Sequence, residues 1–360
     1  MKMAVSNRLT GKAMILLLSL LSTEAQVTMK AVVGLGSAPE GDWSEVSYEE
    51  AWPTPSPKED HALIKVIASS VNPVDWKILS GSNPPLYPKV LGFDVAGTLV
   101  GNECAPRLND GDAVWADVGN SDWGEGEYAQ LGAYAEYVSA LCNQVSLRPQ
   151  SINASEAAVL PLVGLTSYEA LVMTGAPWGD GRYDPKADMV LVVTSGSGGT
   201  GHVGLQMAKN WAQVGTVVTA CGPSNLAFCA SMGADVVVDY TLEDVFDGLE
   251  DNSVDVVYDN YGAPGTADKA LPKLRSGGVF IFLPGKGGAL SNATKDGVTQ
   301  INYGLADSSN HTTLDALAGM VDEGMLRGHV QQDFTLATVI DAFGASFAGN
   351  VTGKLGVRVA

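Results

Sequence analysis

The segment from Met189 to Trp211 reads as a strand, a glycine-rich turn and a helix, and such a unit commits the chain around it to an α/β architecture. Val190 to Val193 is a short β-branched apolar run, the kind that lies buried on both faces of a parallel sheet. Gly196, Ser197, Gly198, Gly199, Thr200 and Gly201 follow, and then a stretch from Val203 to Trp211 with helical character. Glycine permits a tight turn and lets backbone N–H groups come close to a phosphate, while the positive end of the following helix favours an anion. The G-x-G-x-x-G pattern alone decides little, because 42 glycines in 360 residues give about 0.6 chance matches. The strand before it and the helix after it carry the assignment, which is a turn for the pyrophosphate of a dinucleotide.

Which dinucleotide depends on the end of the next strand, where a carboxylate would bind the 2′-hydroxyl of NADH. Val214 to Ala234 holds no acidic residue, which favours NADPH and makes NADH the weaker expectation. It holds no Lys or Arg either. A 2′-phosphate would therefore rely on Ser224, Asn225 and Tyr240, or on the more distant cation of Lys209.

Texture changes along the chain. From Met29 to about residue 155 short β-like runs (Lys30 to Val33, His61 to Ser69, Val95 to Val100, Ala113 to Ala116, Tyr134 to Val138) are broken by Gly, Pro, Asn and Asp, which reads as a compact β-rich domain. From 156 to 308, helical spacing over Ala157 to Met173 and buried-type strands at Met189 to Val193, Thr216 to Thr219, Val236 to Val238, Val254 to Tyr258, Gly278 to Leu283 and Thr299 to Leu305 predict a parallel sheet covered on both faces. Residues 309–360 carry a helix and a terminal strand from Lys354, placed to return to the first domain.

Composition narrows the partners. A net charge of −19 repels phosphate backbones and anionic headgroups, so nucleic acid and membrane surfaces are not expected as partners. Cys104, Cys142, Cys221 and Cys229 form no C-x-x-C pair, which argues against a zinc knuckle or a disulfide scaffold. Residues 1–25 have the layout of a signal peptide: Lys2, Arg8 and Lys12, then the apolar run Ala13 to Leu21, then small residues. That run is too short to span a bilayer. The expectation is the secretory pathway or the extracellular space; a misplaced start, with Met29 opening the first strand, leaves the cytoplasm or a plastid open.

Several further motifs occur together: Ser70 to Lys77 (Ser-Val-Asn-Pro-Val-Asp-Trp-Lys), Gly92-Phe93-Asp94 with Gly97, Gly132 to Tyr137, Leu160 to Thr166, and Gly233 to Tyr240. In this combination, from Met29 to the last residue, the chain resembles the medium-chain dehydrogenases/reductases, in their zinc-independent quinone oxidoreductase branch, and within it the plant chloroplast-envelope homologues. The resemblance implies a GroES-like catalytic domain over 29–155 and 309–360, interrupted by a Rossmann domain over 156–308. It implies reduction of α,β-unsaturated carbonyls or quinones by NADPH, in a monomer or a homodimer. Zinc-dependent relatives carry Cys where this chain has Asn72, and Gly-His-Glu where it has Gly92, Phe93 and Asp94, so no metal is expected.

The same resemblance suggests roles for individual residues. Lys77 matches a lysine near the substrate carbonyl and would hydrogen-bond the developing enolate oxygen, although a lysine is commonly a solvated surface residue. Asn72 would orient the nicotinamide or the substrate, and an asparagine before proline also suits a turn. Thr166 matches a threonine beside the nicotinamide, or is a small helix residue. Tyr240 would approach the adenosine phosphate, or pack in its strand. Asn120 to Gln130 reads as an extended loop at the substrate entrance or in solvent. Two other functions stay open: a dinucleotide-binding protein with little turnover, and a repurposed lumenal protein.

Overall fold

The computed structural model describes residues 27–56, 59–80, 87–119, 132–173, 188–304 and 306–360. The expected signal peptide and the loop Asn120 to Gln130 lie outside the described residues.

Two sheets form the first domain. β1 (Thr28–Gly34) pairs antiparallel with β2 (Val46–Pro53) and β4 (Lys89–Val90). The other sheet is built on β3 (His61–Val71), whose one edge holds β5 (Asp94–Asn102). β6 (Ala113–Asp117) and β8 (Val145–Leu147) extend that side. The opposite edge of β3 is shared, with β7 (Tyr137–Leu141) against its first half and the late strand β16 (Lys354–Arg358) against its second. β15 (Val330–Thr335) pairs with β16. The terminal strand thus lies in the sheet of the first domain.

The second domain is a six-stranded parallel sheet in the order β11-β10-β9-β12-β13-β14, from β9 (Val190–Val193), β10 (Thr216–Cys221), β11 (Val236–Asp239), β12 (Val254–Asp259), β13 (Leu274–Phe282) and β14 (Thr299–Asn302). This is the doubly wound order 3-2-1-4-5-6, whose reversal beside β9 leaves a crevice at the carboxyl ends of the strands. All six residues of β12 are buried, as expected of a central strand covered on both faces, and its two carboxylates are engaged there, Asp255 accepting from Val190 N and Asp259 from Thr194 Oγ1.

Between the sheets lies the helix Pro161–Tyr168. Pro161 to Ser167 are all buried, and a helix apolar on every side is an internal one. It starts on Pro161 at its first turn, where proline's missing N–H costs nothing. The helical spacing seen from Ala157 to Met173 is accordingly broken into Ala154–Ala157, Pro161–Tyr168 and a π-helical turn, Glu169–Met173.

Cysteine usage needs a correction. Cys104 and Cys142, 38 positions apart, form a disulfide. It joins the end of β5 to the end of β7 beside a core that includes Leu99, Leu108, Val138 and Val145. Cys221 and Cys229 are free and buried.

Candidate active site

The glycine turn connects β9 to the helix Gly199–Gln206, with Gly198 as its N-cap. A Cβ on Gly196 would lie 2.3 Å from Thr219 Oγ1, and one on Gly201 would lie 1.8 Å from the Ser195 carbonyl oxygen. Glycine is therefore enforced at both positions by the closeness of the chain to itself. The turn is pinned from β12: Ser195 N donates to Asn260 Oδ1 at 3.0 Å, and Asn260 Nδ2 donates to Thr200 Oγ1 at 3.2 Å. His202, in the first turn of the helix, is buried with its Nδ1 3.0 Å from the Gly198 carbonyl oxygen. Burial pushes its pKa down to about 4, so the ring is neutral at physiological pH. The first N–H groups of such a helix have no partner within it and face whatever anion approaches.

The first domain braces this turn. Gly353 N donates to the Ser197 carbonyl at 2.7 Å, and the stem of Lys354 lies 3.3 Å from the Cβ position of Gly199. The Lys354 ammonium, fully buried, donates to the Val71 carbonyl at 2.9 Å and to Asn72 Oδ1, and it lies 3.5 Å from Asp94 Oδ2. Asn72 Nδ2 donates to Asp94 Oδ2 at 2.6 Å, so both ends of its amide are engaged. Asp94 also accepts from Ser70 Oγ at 2.6 Å and from Leu162 N at 2.8 Å. Asp75 caps the helix Pro73–Lys77 by accepting from Asn72 N at 2.6 Å, and it accepts from the Tyr134 hydroxyl at 2.7 Å. Burial pushes Asp75 up to about 7 and Asp117 well above the usual carboxylate range. Burial pulls Lys354 down, against the opposing pull of Asp94.

Lys77 ends the helix Pro73–Lys77 and is half-buried, its ammonium 5.8 Å from the centroid of the Trp76 ring. Burial lowers its pKa; Glu40 opposes that shift, and Lys286, from the segment after β13, adds to it. It is thus not a fully solvated surface lysine. Thr166 lies on the internal helix, 3% exposed, and its hydroxyl has no partner among the described residues. The next residue, Ser167, donates to the Thr200 carbonyl at 3.0 Å and ties that helix to the glycine turn.

At the other end of the crevice, Ser224 and Asn225 lie in a single 3-10 turn, Pro223–Asn225, straight after β10. Tyr240 follows β11, is largely exposed, and has its hydroxyl 3.5 Å from the Cβ position of Gly222. These three are gathered at the carboxyl ends of two neighbouring strands. Asn225 Oδ1 also accepts from Thr352 Oγ1 at 3.0 Å. Lys209 is elsewhere: its ammonium is 2.8 Å from Asp235, which also accepts from Val217 N near the start of β10. That carboxylate holds the cation at the wrong end of the strand, so the expectation of a distant phosphate contact from Lys209 is withdrawn.

Sequence reasoning singled out neither Lys354 nor Glu169. Glu169 is 7% exposed and sits one turn beyond Thr166; its Oε2 accepts from the Tyr303 hydroxyl and from Asp307 N at 3.1 Å. Burial raises its pKa against those two hydrogen bonds. Among the described residues no group of three His, Cys, Asp or Glu side chains is arranged to hold a metal ion, and no helix is long and apolar enough to cross a membrane.

Comparison with known proteins agrees with this architecture. Residues 58–150 match the alcohol dehydrogenase GroES-like domain, and residues 232–356 match a family described as zinc-binding dehydrogenase. The chain is 34% identical over 308 residues to an NADPH-dependent alkenal/one oxidoreductase of Arabidopsis thaliana, covering 84% of this chain and 72% of that protein. It is 32% identical over 309 residues to a 2-methylene-furan-3-one reductase of Solanum lycopersicum, with the same coverage of 84% and 72%. The structure of a quinone oxidoreductase from Coxiella burnetii superposes with a TM-score of 0.72 at 26% identity, over 92% of this chain and 99% of that one. The chain belongs to the medium-chain dehydrogenase/reductase family of oxidoreductases, in its quinone oxidoreductase branch.

Proposed function

We propose that this chain is an NADPH-dependent, zinc-independent reductase of α,β-unsaturated carbonyl compounds (enones and alkenals) or of quinones. The observation that carries the reading is the glycine cradle: Gly196 and Gly201 leave no room for a Cβ, at a helix N-terminus on the switch point of a doubly wound sheet, where a pyrophosphate is bound. Thr166 supports it, with a buried hydroxyl that has no partner among the described residues, next to Ser167, which bonds that turn. The names of the Arabidopsis and tomato relatives support the substrate class.

When bound, NADPH supplies the hydride. The residues around it supply position and charge. Gly196 to Gly201 would seat the pyrophosphate, and Ser224, Asn225 and Tyr240 would hold the 2′-phosphate; no carboxylate occurs from Val214 to Ala234 to bind a free 2′-hydroxyl instead, and the Asp239 carboxylate at the end of β11 is engaged by Thr241 N and Oγ1. Lys77 donates a hydrogen bond to the substrate carbonyl oxygen, and its partly desolvated ammonium stabilises the negative charge that develops there. Asn72 orients the site through the Asp94 and Lys354 network rather than as an isolated amide. The donor set does not suit zinc: Asn72 is a poor ligand, Phe93 cannot be one, and Asp94 is paired with the Lys354 ammonium at 3.5 Å.

Oxidation of NADPH and of NADH against a panel of small enones and quinones tests the reading. NADPH is expected to be the better donor, and Lys77→Ala to lose about 10- to 100-fold in kcat/KM with NADPH binding unchanged. Binding without turnover of any acceptor would favour a dinucleotide-binding protein instead, and unchanged turnover would remove Lys77 from the reaction.

We also infer that the chain reaches an oxidising compartment through its first 25 residues. The Cys104 to Cys142 disulfide supports this, since such bonds are rare where thiols are kept reduced. N-terminal sequencing of the mature protein should start near Gln26; an intact Met1 would end the inference.

A further inference from the structure

Thr166 and Glu169 are three residues apart on one continuous helical run, a spacing that places their Cβ atoms about 5–6 Å apart on one face. Both are more than nine-tenths buried, at 3% and 7% exposure. Each carries a polar atom with no hydrogen-bond partner among the described residues, Oγ1 of Thr166 and Oε1 of Glu169. An unmet buried donor or acceptor is costly, and two within one turn require an explanation.

The Glu169 carboxyl is aimed by its other oxygen. Oε2 is clipped by the Tyr303 hydroxyl and by Asp307 N, both from the segment that follows β14. That segment leaves the carboxyl end of a parallel strand, the side on which ligands bind. The clip accounts for one oxygen and leaves the second without a partner among the described residues. On the same helical run, Ser167 holds the Thr200 carbonyl of the glycine turn, so the two unmet groups are fixed relative to the pyrophosphate seat.

A hydroxyl that can donate and a carboxylate oxygen that can only accept are complementary to a primary carboxamide, which offers one carbonyl acceptor beside two N–H donors. A substrate ketone would satisfy the hydroxyl alone, and an anionic substrate would be repelled by Glu169. We infer that Thr166 and Glu169 clamp the nicotinamide carboxamide, with Thr166 donating to its oxygen and Glu169 accepting from its NH2 group. The inference rests on the proposed use of a nicotinamide dinucleotide and adds Glu169 as a cofactor-binding residue. Its work is to fix the rotation of the nicotinamide ring, a task the pyrophosphate turn cannot do from the other end of the cofactor.

Fluorescence titration of the full chain with NADPH and with its reduced 3-acetylpyridine analogue, in which a methyl group replaces the carboxamide NH2, tests the clamp without turnover. The wild-type chain should bind NADPH about tenfold more tightly than the analogue, the loss of one hydrogen bond to a charged acceptor. Glu169→Gln keeps the size of the side chain and an oxygen for the Tyr303 and Asp307 clip, and presents NH2 where Oε1 stood; its preference should fall to within about twofold. Thr166→Val should weaken both cofactors alike, because both keep the carbonyl oxygen. Equal wild-type affinities, or a tenfold preference surviving in Glu169→Gln with an unchanged melting temperature, would overturn the clamp alone. Binding of neither NADPH nor NADH to the wild-type chain would overturn the clamp together with the proposed function.

Discussion

Replacing Asp75 by asparagine should make the protein's stability respond differently to pH, by an amount the structure sets. Asp75 is fully buried, with Oδ2 accepting from Asn72 N and from the Tyr134 hydroxyl and Oδ1 without a partner among the described residues. Burial outweighs those two hydrogen bonds and, with repulsion from Asp94, raises the carboxyl from 3.8 to about 7. Between those limits the folded chain keeps a proton that the unfolded chain releases. Stability from this group is therefore fully present below pH 3.8 and is lost as pH rises through 7. A difference of about 3 units corresponds to about 4 kcal/mol. The asparagine of the Asp75→Asn variant would offer one oxygen for both hydrogen bonds and would not titrate. Urea unfolding of both proteins from pH 4 to pH 8 gives the difference in unfolding free energy, in which the parallel titration of Asp117 largely cancels. The variant should gain about 4 kcal/mol on the wild type across that range. A difference that stays flat with pH would show that Asp75 is ionised in the native state at every pH tested, and the electrostatic account of the network would fail.

Two further outcomes follow from the geometry, beside those given for Lys77 and Glu169. Gly201→Ala places a Cβ 1.8 Å from a backbone oxygen and should cost about 3 kcal/mol of NADPH binding, roughly a hundredfold in Kd; Gly319→Ala, where a Cβ meets nothing within 4 Å, is the control, and equal affinities would refute the cradle. Replacing both Cys104 and Cys142 by serine removes a cross-link between residues 38 apart and should lower unfolding free energy by about 4 kcal/mol on the chain-entropy account, which unfolding midpoints that match the wild type would contradict.

The parallel sheet was legible because its strands state their burial in sequence: Val254 to Tyr258 is apolar almost throughout, and the strand lies where that run lies. β2 was not legible. Its residues Val46–Pro53 include Glu49 and Glu50 and alternate poorly, and the strand exists through its pairing with β1. The expected strand Tyr134 to Val138 begins three residues later, at Tyr137, because Tyr134 turns inward to bond Asp75 and Ala135 makes only an isolated bridge to Ala31. The disulfide was missed for a related reason: a separation of 38 positions contains no pairing signal. At the proposed site, the glycine turn is local in sequence and so is open to reading there, whereas Thr166 is proposed from the family resemblance. Lys354 and Asp94 are 260 positions apart, so their meeting is a product of tertiary structure. Glu169 was hidden differently, since its position fits ordinary helical spacing and only its unmet oxygen sets it apart.

The bond from Gly353 to Ser197 has a consequence for biosynthesis. The glycine turn is translated more than 150 residues before the strand that braces it. During that interval a nascent Rossmann sheet can close on itself, yet Lys354 has not reached Asp94, and the edge of β3 that β16 covers stands open. Emergence of residues 353–358 from the ribosome supplies the missing counter-ion, the sheet edge and the brace together. A chain truncated before Gly353 would keep every glycine of the turn and still leave that turn unbraced beside an aggregation-prone edge.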